Sequence, residues 1–300
     1  MPGIDEAPVD ALVADALIAG KPVTVSELPA AASLPPPAGR AGAGQAAAER
    51  FIRRERRLRA ADFIIDTAFR VVHEDDALLI LDKPSPLAVH PVGVYAELNL
   101  HTLLKKDPRW AHVSMRFVHR LDAETSGVII AAKTAEAARS LGIQFMNGQV
   151  KKTYLATVFG APAEPEGEIA LPLGHDETSG FQTVRIVDFE KGEHAITRYR
   201  TVESGPRYSR LEVTPLTGRT HQIRVHLAAI GHPIVGDKIY IDLGIFQRYV
   251  LSGIDAGMLE RIGLPRLALH ASAIEFTHPL LRKLVRYEAP MPPALAGLPL

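Results

Sequence analysis

A charged loop between two apolar runs is the part of this sequence best suited to chemistry. It supplies an imidazole, a guanidinium and two carboxylates, from His119, Arg120, Asp122 and Glu124. The flanking apolar runs predict strand, loop, strand, and active sites favour charged loops that buried strands hold at both ends. Asp122 is therefore a candidate for nucleophilic or electrostatic catalysis, although a carboxylate close to an arginine is more often a structural ion pair.

A second polar cluster holds two arginines and two histidines near a predicted helix start: Arg219, His221, Arg224 and His226. If the helix begins near Thr220, His221 and Arg224 lie on one face of it. The histidines follow no zinc-binding spacing, such as two His flanking a Glu on one helix. We therefore expect no metal.

Both clusters belong to a series of motifs that resembles the RluA-type pseudouridine synthase family, from about Val71 to Pro279. The motifs stand in the family's order: His119-Arg120-Leu121-Asp122 with Thr125-Ser126-Gly127, then Lys152-Thr153-Tyr154-Leu155-Ala156, Thr217-Gly218-Arg219-Thr220-His221-Gln222-Ile223-Arg224, Gly231-His232-Pro233-Ile234-Val235-Gly236-Asp237 and Leu269-His270-Ala271. Any one of these motifs is short enough to arise by chance. The complete ordered set indicates the family.

The resemblance implies that the protein converts uridine to pseudouridine in ribosomal or transfer RNA. Asp122 would be the catalytic carboxylate, Arg224 would pair with it, and Tyr154 would stack on the target base and help to remove its C5 proton. A carboxylate is a credible nucleophile or cation stabiliser at a sugar C1′, and a nearby guanidinium keeps it ionised in a water-poor pocket. An isomerisation needs no redox centre, so no cofactor is expected.

The resemblance also implies a set of substrate-binding residues: Arg120, His119, Leu269, Arg219 and Thr125. Arg120 would enter the space that the flipped base leaves, and Leu269 would line the base pocket. Removing a base from its stack costs a few kcal/mol, which an aromatic face and a wedging arginine can offset. For Arg219, phosphate contact and structural support are both open.

The remaining sequence predicts strands joined mostly by short turns. The candidates are Phe69–His73, Ala77–Leu81, Val128–Ala132, Thr153–Phe159, Ala195–Val202, Ser209–Pro215 and Ala268–Phe276. Helices are predicted at Ala135–Asn147, with Thr134 as N-cap, and at Gln222–Ile230. We expect an α+β fold with a mixed, mainly antiparallel sheet, flanking helices and a central catalytic cleft, the pseudouridine synthase fold.

Three segments follow from the composition. Residues 1–64 form an accessory segment that is rich in Pro and Ala and then basic, residues 65–290 form the catalytic domain, and residues 291–300 form a C-terminal tail. A helix is predicted at Ala46–Ala61. Its basic cluster, Arg53–Arg59, is either a solvated face or an arm that contacts phosphates.

Composition narrows the class of protein. The 34 basic and 34 acidic side chains give a net charge of zero, so any contact with RNA requires a local basic patch. No apolar run is long enough to span a membrane, and the start of the chain does not read as a secretion signal. We expect a cytoplasmic protein, a monomer, with RNA as its partner and no membrane association.

Two alternatives compete with the enzyme. One is a catalytically inactive RNA-binding or ribosome-assembly protein of the same fold. The other is a glycosidase or nucleosidase that uses Asp122 and would need Glu124 as its second carboxylate.

Two departures from the family's usual pattern, Pro86 and Ile241 in place of Gly, concern loop shape and therefore substrate fit.

Overall fold

The computed structural model of this chain describes residues 23–24 and 64–300. Its strands are β1 Val23–Thr24, β2 Ile64–Ile65, β3 Arg70–Glu74, β4 Leu78–Lys83, β5 Arg116–Phe117, β6 Ser126–Ala132, β7 Lys151–Phe159, β8 Glu166–Ala170, β9 Leu173–His175, β10 Arg185–Val187, β11 Ile196–Ser204, β12 Tyr208–Pro215, β13 Leu269–Thr277 and β14 Leu284–Glu288. Its α-helices are α1 Leu100–Lys106, α2 Ala135–Met146, α3 Gln222–Ala229, α4 Leu243–Ser252, α5 Ala256–Ile262 and α6 Pro293–Ala296, with a short 3-10 helix at Gly93–Tyr95.

Ten of the described strands form one sheet. The order is β3-β4-β6-β13-β7-β12-β11-β8, with β5 beside β6 and β14 beside β13. Every pairing in this sheet is antiparallel except that of β6 with β13, which is parallel. This architecture confirms the predicted α+β fold with a mixed, mainly antiparallel sheet.

The strands that alternate or are wholly apolar in sequence form the core of the sheet. All seven residues of β6 are buried, and four of the six residues of β4 are buried leucine or isoleucine, because both strands lie inside the sheet with protein on both faces. The α2 helix begins where the sequence predicts, since the Thr134 side chain accepts a hydrogen bond from the backbone N–H of Ala137. Its buried Leu141 packs on one face of β4 and β6.

Two short helices, α1 and α5, are not predicted from the sequence. The α1 and α5 helices have seven residues each, too short to be stable without tertiary packing, so their own sequences give a weak signal. In α1, Leu100, Leu103 and Leu104 are all buried in the core. The packing of these side chains, rather than a long periodic pattern, makes the segment helical.

The structure describes the predicted C-terminal tail but not the predicted N-terminal helix. The last ten residues, predicted as a tail, contain α6, and Leu295 is 2% exposed within the same apolar core as Tyr208 and Leu211. They therefore pack on the sheet rather than stand apart from it. The predicted helix Ala46–Ala61 and its basic cluster Arg53–Arg59 lie outside the described residues. No described helix has the length and apolar character needed to cross a bilayer.

Candidate active site

The charged loop between β5 and β6 is held from three sides. The backbone N–H of Thr125 donates to the carbonyl of Asp122 over 3.0 Å, which closes a tight turn. The Nε2 of His119 accepts a hydrogen bond from the backbone N–H of Ile130 at 3.0 Å. The ring of His119 stacks on Phe145, with 5.0 Å between the ring centroids. These contacts constrain the shape of the loop.

Lys83 holds the same loop through backbone hydrogen bonds, and it is not among the site residues predicted from the sequence. Its side chain is fully buried, and its Nζ donates to the carbonyls of Pro84 at 2.9 Å, Leu87 at 2.7 Å and Ala123 at 3.2 Å. Burial, with the nearby positive charge of Arg266, lowers the pKa of Lys83 to about 7. Only the fold shows that Ala123, 40 positions along the chain, lies within reach of Lys83.

A glycine lets the charged loop approach β13 closely. Gly127 has a φ of +114°, and a Cβ at this position would overlap the backbone carbonyl of Ala271. Only glycine combines this backbone conformation with such a close approach. The result is the parallel pairing of Ser126 with His270, and it brings Leu269 beside the loop.

Arg224 joins Asp122 to a second, deeper carboxylate, that of Asp237. Its Nη1 donates to Asp122 at 3.2 Å, while its Nε and Nη2 donate to Asp237 at 2.7 and 2.9 Å. Asp237 also accepts the backbone N–H groups of Ile239 and Tyr240. The Asp237 side chain has no exposed surface, whereas that of Asp122 is 21% exposed. Asp237 thus anchors the guanidinium, and Asp122 presents the accessible oxygen.

The electrostatics keep Asp122 ionised. Burial raises the pKa of its carboxyl, but His221 and Arg224 lower it by more, and the net pKa lies below the ordinary value. Burial and the charge of Arg224 lower the pKa of His221 to about 4, so this imidazole is neutral near pH 7. Arg224 is therefore the group that holds the charge on Asp122 at neutral pH.

His221 reaches Asp122 from a backbone position that the sequence does not reveal. The α3 helix begins at Gln222, and His221 precedes it with a φ of +57°, a left-handed conformation uncommon for a non-glycine residue. The Nδ1 of His221 lies 2.8 Å from the hydroxyl of Tyr240, and its Nε2 lies 3.7 Å from Asp122. His221 and Arg224 converge as predicted, although only Arg224 belongs to the helix.

A cavity of about 520 Å³ opens in front of Asp122. Tyr154 on β7 and Leu269 on β13 line it together with Arg224, and Leu269 is 4% exposed. Burial and the charge of Asp122 raise the pKa of Tyr154, so its phenol is protonated throughout the physiological range. The three residues that the sequence predicts as catalytic therefore meet at one cavity.

Lys152 also lines this cavity, although the sequence prediction gave it no role beyond its place in a motif. Its Nζ donates to the carbonyl of Thr217 at 2.8 Å, and burial lowers its pKa to about 8. Lys152 and Tyr154 are two positions apart on one strand, so their side chains lie on the same face. That alternation in the motif around Tyr154 was the available signal.

The predicted substrate residues occupy different depths of the cavity. Arg120 is exposed at its mouth, and Arg219 lies on the rim, where it forms an ion pair of 2.5 Å with Glu193 and donates to the carbonyl of His194. Thr125 is 2% exposed, and the Nε2 of His119 accepts a hydrogen bond from the β6 backbone. Both residues therefore shape the loop.

The contacts of Glu124 do not fit the catalytic acid that a glycosidase would require. Its two oxygens accept hydrogen bonds from the Nζ of Lys238 at 2.7 and 2.9 Å, and one also accepts the backbone N–H of Leu267. Such a carboxylate is a structural anchor, so it does not supply the second catalytic acid. Within the described residues, no group of three or more His, Cys, Asp or Glu side chains is arranged to hold a metal ion.

The sequence pattern of a family described as RNA pseudouridylate synthase matches residues 77–229, about half of the chain. The match includes all of the charged loop between β5 and β6. This chain belongs to that family. The match also includes Tyr154 and Arg224, so the three candidate catalytic residues lie within the family's own region. The predicted family is confirmed.

Named family members are similar over most of this chain. Ribosomal large subunit pseudouridine synthase D of Nitrosomonas europaea is 38% identical over 231 residues, which cover 76% of this chain and 64% of that protein. Dual-specificity RNA pseudouridine synthase RluA of Escherichia coli is 36% identical over 226 residues, which cover 73% of this chain and 92% of that protein. The chain thus spans slightly less than two thirds of the Nitrosomonas relative.

Solved structures of family members share the fold. Human RNA Pseudouridylate Synthase Domain Containing 1 superposes with a TM-score of 0.58 at 26% identity, over 76% of this chain and 86% of that one. Human RNA Pseudouridylate Synthase Domain Containing 4 gives the same TM-score and identity, over 75% and 90%.

Proposed function

We propose that this chain isomerises uridine to pseudouridine in ribosomal or transfer RNA. The observation that carries the proposal is the position of Asp122, which is ionised, paired with Arg224 and open to a cavity that Tyr154 and Leu269 line. The names of the relatives support the same reaction, since they are ribosomal large subunit and dual-specificity RNA pseudouridine synthases.

In the proposed reaction Asp122 acts at the sugar of the target nucleotide. The bond from N1 to C1′ breaks, the freed base turns, and a new bond forms from C5 to C1′, while C5 loses a proton and N1 gains one. Asp122 either bonds to C1′ or stabilises the positive charge that develops there. Atoms and electrons balance within one nucleotide, so the proposal requires no cofactor.

Tyr154 is proposed to stack on the target base, and Leu269 to close the opposite wall. The raised pKa of Tyr154 favours this stacking role over proton removal, because a protonated phenol is a poor base. Arg120 is proposed to fill the space that the flipped base leaves in the RNA, since it is exposed at the mouth of the cavity. Arg219 and the predicted cluster Arg53–Arg59 are proposed to contact phosphates.

The first experiment is pseudouridine mapping on total RNA from cells with the wild-type gene, a deletion and Asp122→Asn. We expect one or a few modified sites to vanish in both mutants, with the loss of rate in purified Asp122→Asn being at least about 10³-fold. Purified wild-type protein on unmodified ribosomal and transfer RNA transcripts completes the test. The absence of modification in both assays would contradict the proposal. A cytoplasmic location and a monomeric state stay predictions.

A further inference from the structure

A second cavity, of about 490 Å³, adjoins the catalytic cavity at the charged loop. Five residues line both cavities: Arg120, Leu121, Asp122, His221 and Arg224. Each cavity is within the range of volumes that small ligands occupy, roughly 300–1,000 Å³. Two ligand groups could therefore lie on opposite sides of residues 120–122 at the same time.

The walls that belong only to the second cavity are mainly apolar and aromatic. One wall is the segment from Ala88 to Tyr95, and the other is the inward face of α4: Phe246, Tyr249 and Val250. These rings and aliphatic groups suit a flat, uncharged ligand. A nucleobase has that shape, and proteins that bind unpaired RNA stack its bases on such side chains.

The cations inside this cavity are already paired with carboxylates. Lys238 holds both oxygens of Glu124, and Arg224 holds Asp122 and Asp237. A phosphate at this depth would have to compete with these carboxylates, whereas an uncharged base would not. Arg120, exposed where the two cavities meet, is placed to contact the backbone between two nucleotides.

The α4 wall is held in place by its own small core. Ile245 packs with Met258 and Ile262 of α5, and Ile241 joins them. The ring of Phe246 meets that of Phe181 edge to face, with 4.8 Å between the centroids. Contacts within the protein therefore hold this wall in position, which reduces the cost of ordering it when a base binds.

On the basis of the proposed function, we propose that the second cavity binds an unpaired base that neighbours the target uridine. The two nucleotides are splayed apart, with the uridine in front of Asp122 and its neighbour against Phe246. Recognition of the neighbour selects target sites at which that nucleotide is free to leave its stack. The second cavity is thus a specificity site for the RNA rather than part of the chemistry.

The test uses an RNA hairpin that contains the mapped target uridine and an abasic nucleotide at one of the two flanking positions. The proteins are the wild type and two variants, Phe246→Ala and Val94→Asp. The two substitutions alter opposite walls of the cavity. Gln247→Ala, on the exposed face of the same helix, is the matched control. Pseudouridine formation gives kcat/KM, and fluorescence anisotropy gives the dissociation constant.

For the wild type and the control, we expect removal of one neighbouring base to lower kcat/KM and affinity about 5- to 100-fold, the range that stacking of one base provides. Phe246→Ala and Val94→Asp should show that loss on the intact hairpin and little further loss on the abasic one. Equal losses on both hairpins would mean that the variants only disturb folding, and would overturn the proposal. So would wild-type tolerance of both abasic positions.

Failure of the proposed function gives a different result. The wild type would then modify neither the intact hairpin nor the unmodified transcripts. The dissociation constants would still show whether the wall variants and the abasic nucleotide affect the same contact. An unchanged affinity in that comparison would remove the second site as well.

Discussion

At the scale of single residues, Arg224 forms hydrogen bonds with two carboxylates, and only one of them is accessible from the cavity. Asp237 is wholly buried and takes two of the guanidinium's hydrogen bonds, while Asp122 takes one and faces the cavity. A buried ion pair of this kind is strongly destabilised when one partner is lost, because the other remains charged and unpaired. The candidate active site and the stability of the fold therefore depend on the same guanidinium.

Asp237→Asn should lower the free energy of unfolding by about 3–5 kcal/mol, the cost of breaking a buried pair. Asp122→Asn is the matched comparison, and it should cost less because Asp122 is partly exposed. Urea unfolding of both purified variants measures the difference. Equal losses in the two variants would show that Asp237 is not the anchor.

Tyr154→Phe and Tyr154→Ala separate the two roles considered for this ring. If Tyr154 stacks on the base, Phe should retain kcat within about tenfold, and Ala should lose roughly a further 5- to 100-fold in kcat/KM. Single-turnover rates on the mapped RNA measure both. A phenylalanine variant as inactive as the alanine variant would assign the hydroxyl to proton transfer instead.

At the scale of elements, the close approach of β6 to β13 places the charged loop beside Leu269. Gly127→Ala would put a Cβ into the backbone of Ala271 at a positive φ, so we expect a loss of about 2 kcal/mol or more in the free energy of unfolding. Gly142→Ala in α2 is the control, because no atom lies near its added Cβ. It should instead stabilise by about 0.5–1 kcal/mol. Thermal unfolding of both variants distinguishes these outcomes.

The sequence predicts elements best where one pattern extends over a full strand or helix. The β6 and β7 strands and the α2 helix have such patterns, and the motifs place Asp122, Tyr154 and Arg224 together. The sequence does not reveal contacts between distant segments. Lys83 meets Ala123 across 40 positions, and Lys238 meets Glu124 across 114. No local pattern encodes such partners, so the supports of the loop emerge only from the fold.

At the scale of the whole molecule, buried neutral histidines make stability depend on pH. Burial lowers the pKa of His119 to about 3 and, with Arg224, that of His221 to about 4, whereas the unfolded chain binds these protons near pH 6.5. Between pH 4 and 6.5 the unfolded state thus binds more protons, and stability falls as the pH falls. The full contribution is present above pH 6.5.

His119→Gln isolates one of these groups, because the amide oxygen can still accept the N–H of Ile130. The variant should be less stable at neutral pH through loss of ring stacking on Phe145. Its stability should also fall less steeply below pH 6, by up to about 1.4 kcal/mol per pH unit. Urea unfolding from pH 4 to 7 measures the slopes. Parallel slopes would mean that His119 is protonated in the folded protein.

The order of strands also governs how the sheet forms during synthesis. The β6 and β7 strands are consecutive in sequence, but β13, from the far end of the chain, lies between them. On a translating ribosome, the two halves of the sheet must wait with unpaired edges until Leu269–Thr277 has emerged. A nascent chain cannot form the cavity in front of Asp122 before that moment. A messenger truncated upstream of this strand would yield an aggregation-prone fragment that lacks this cavity.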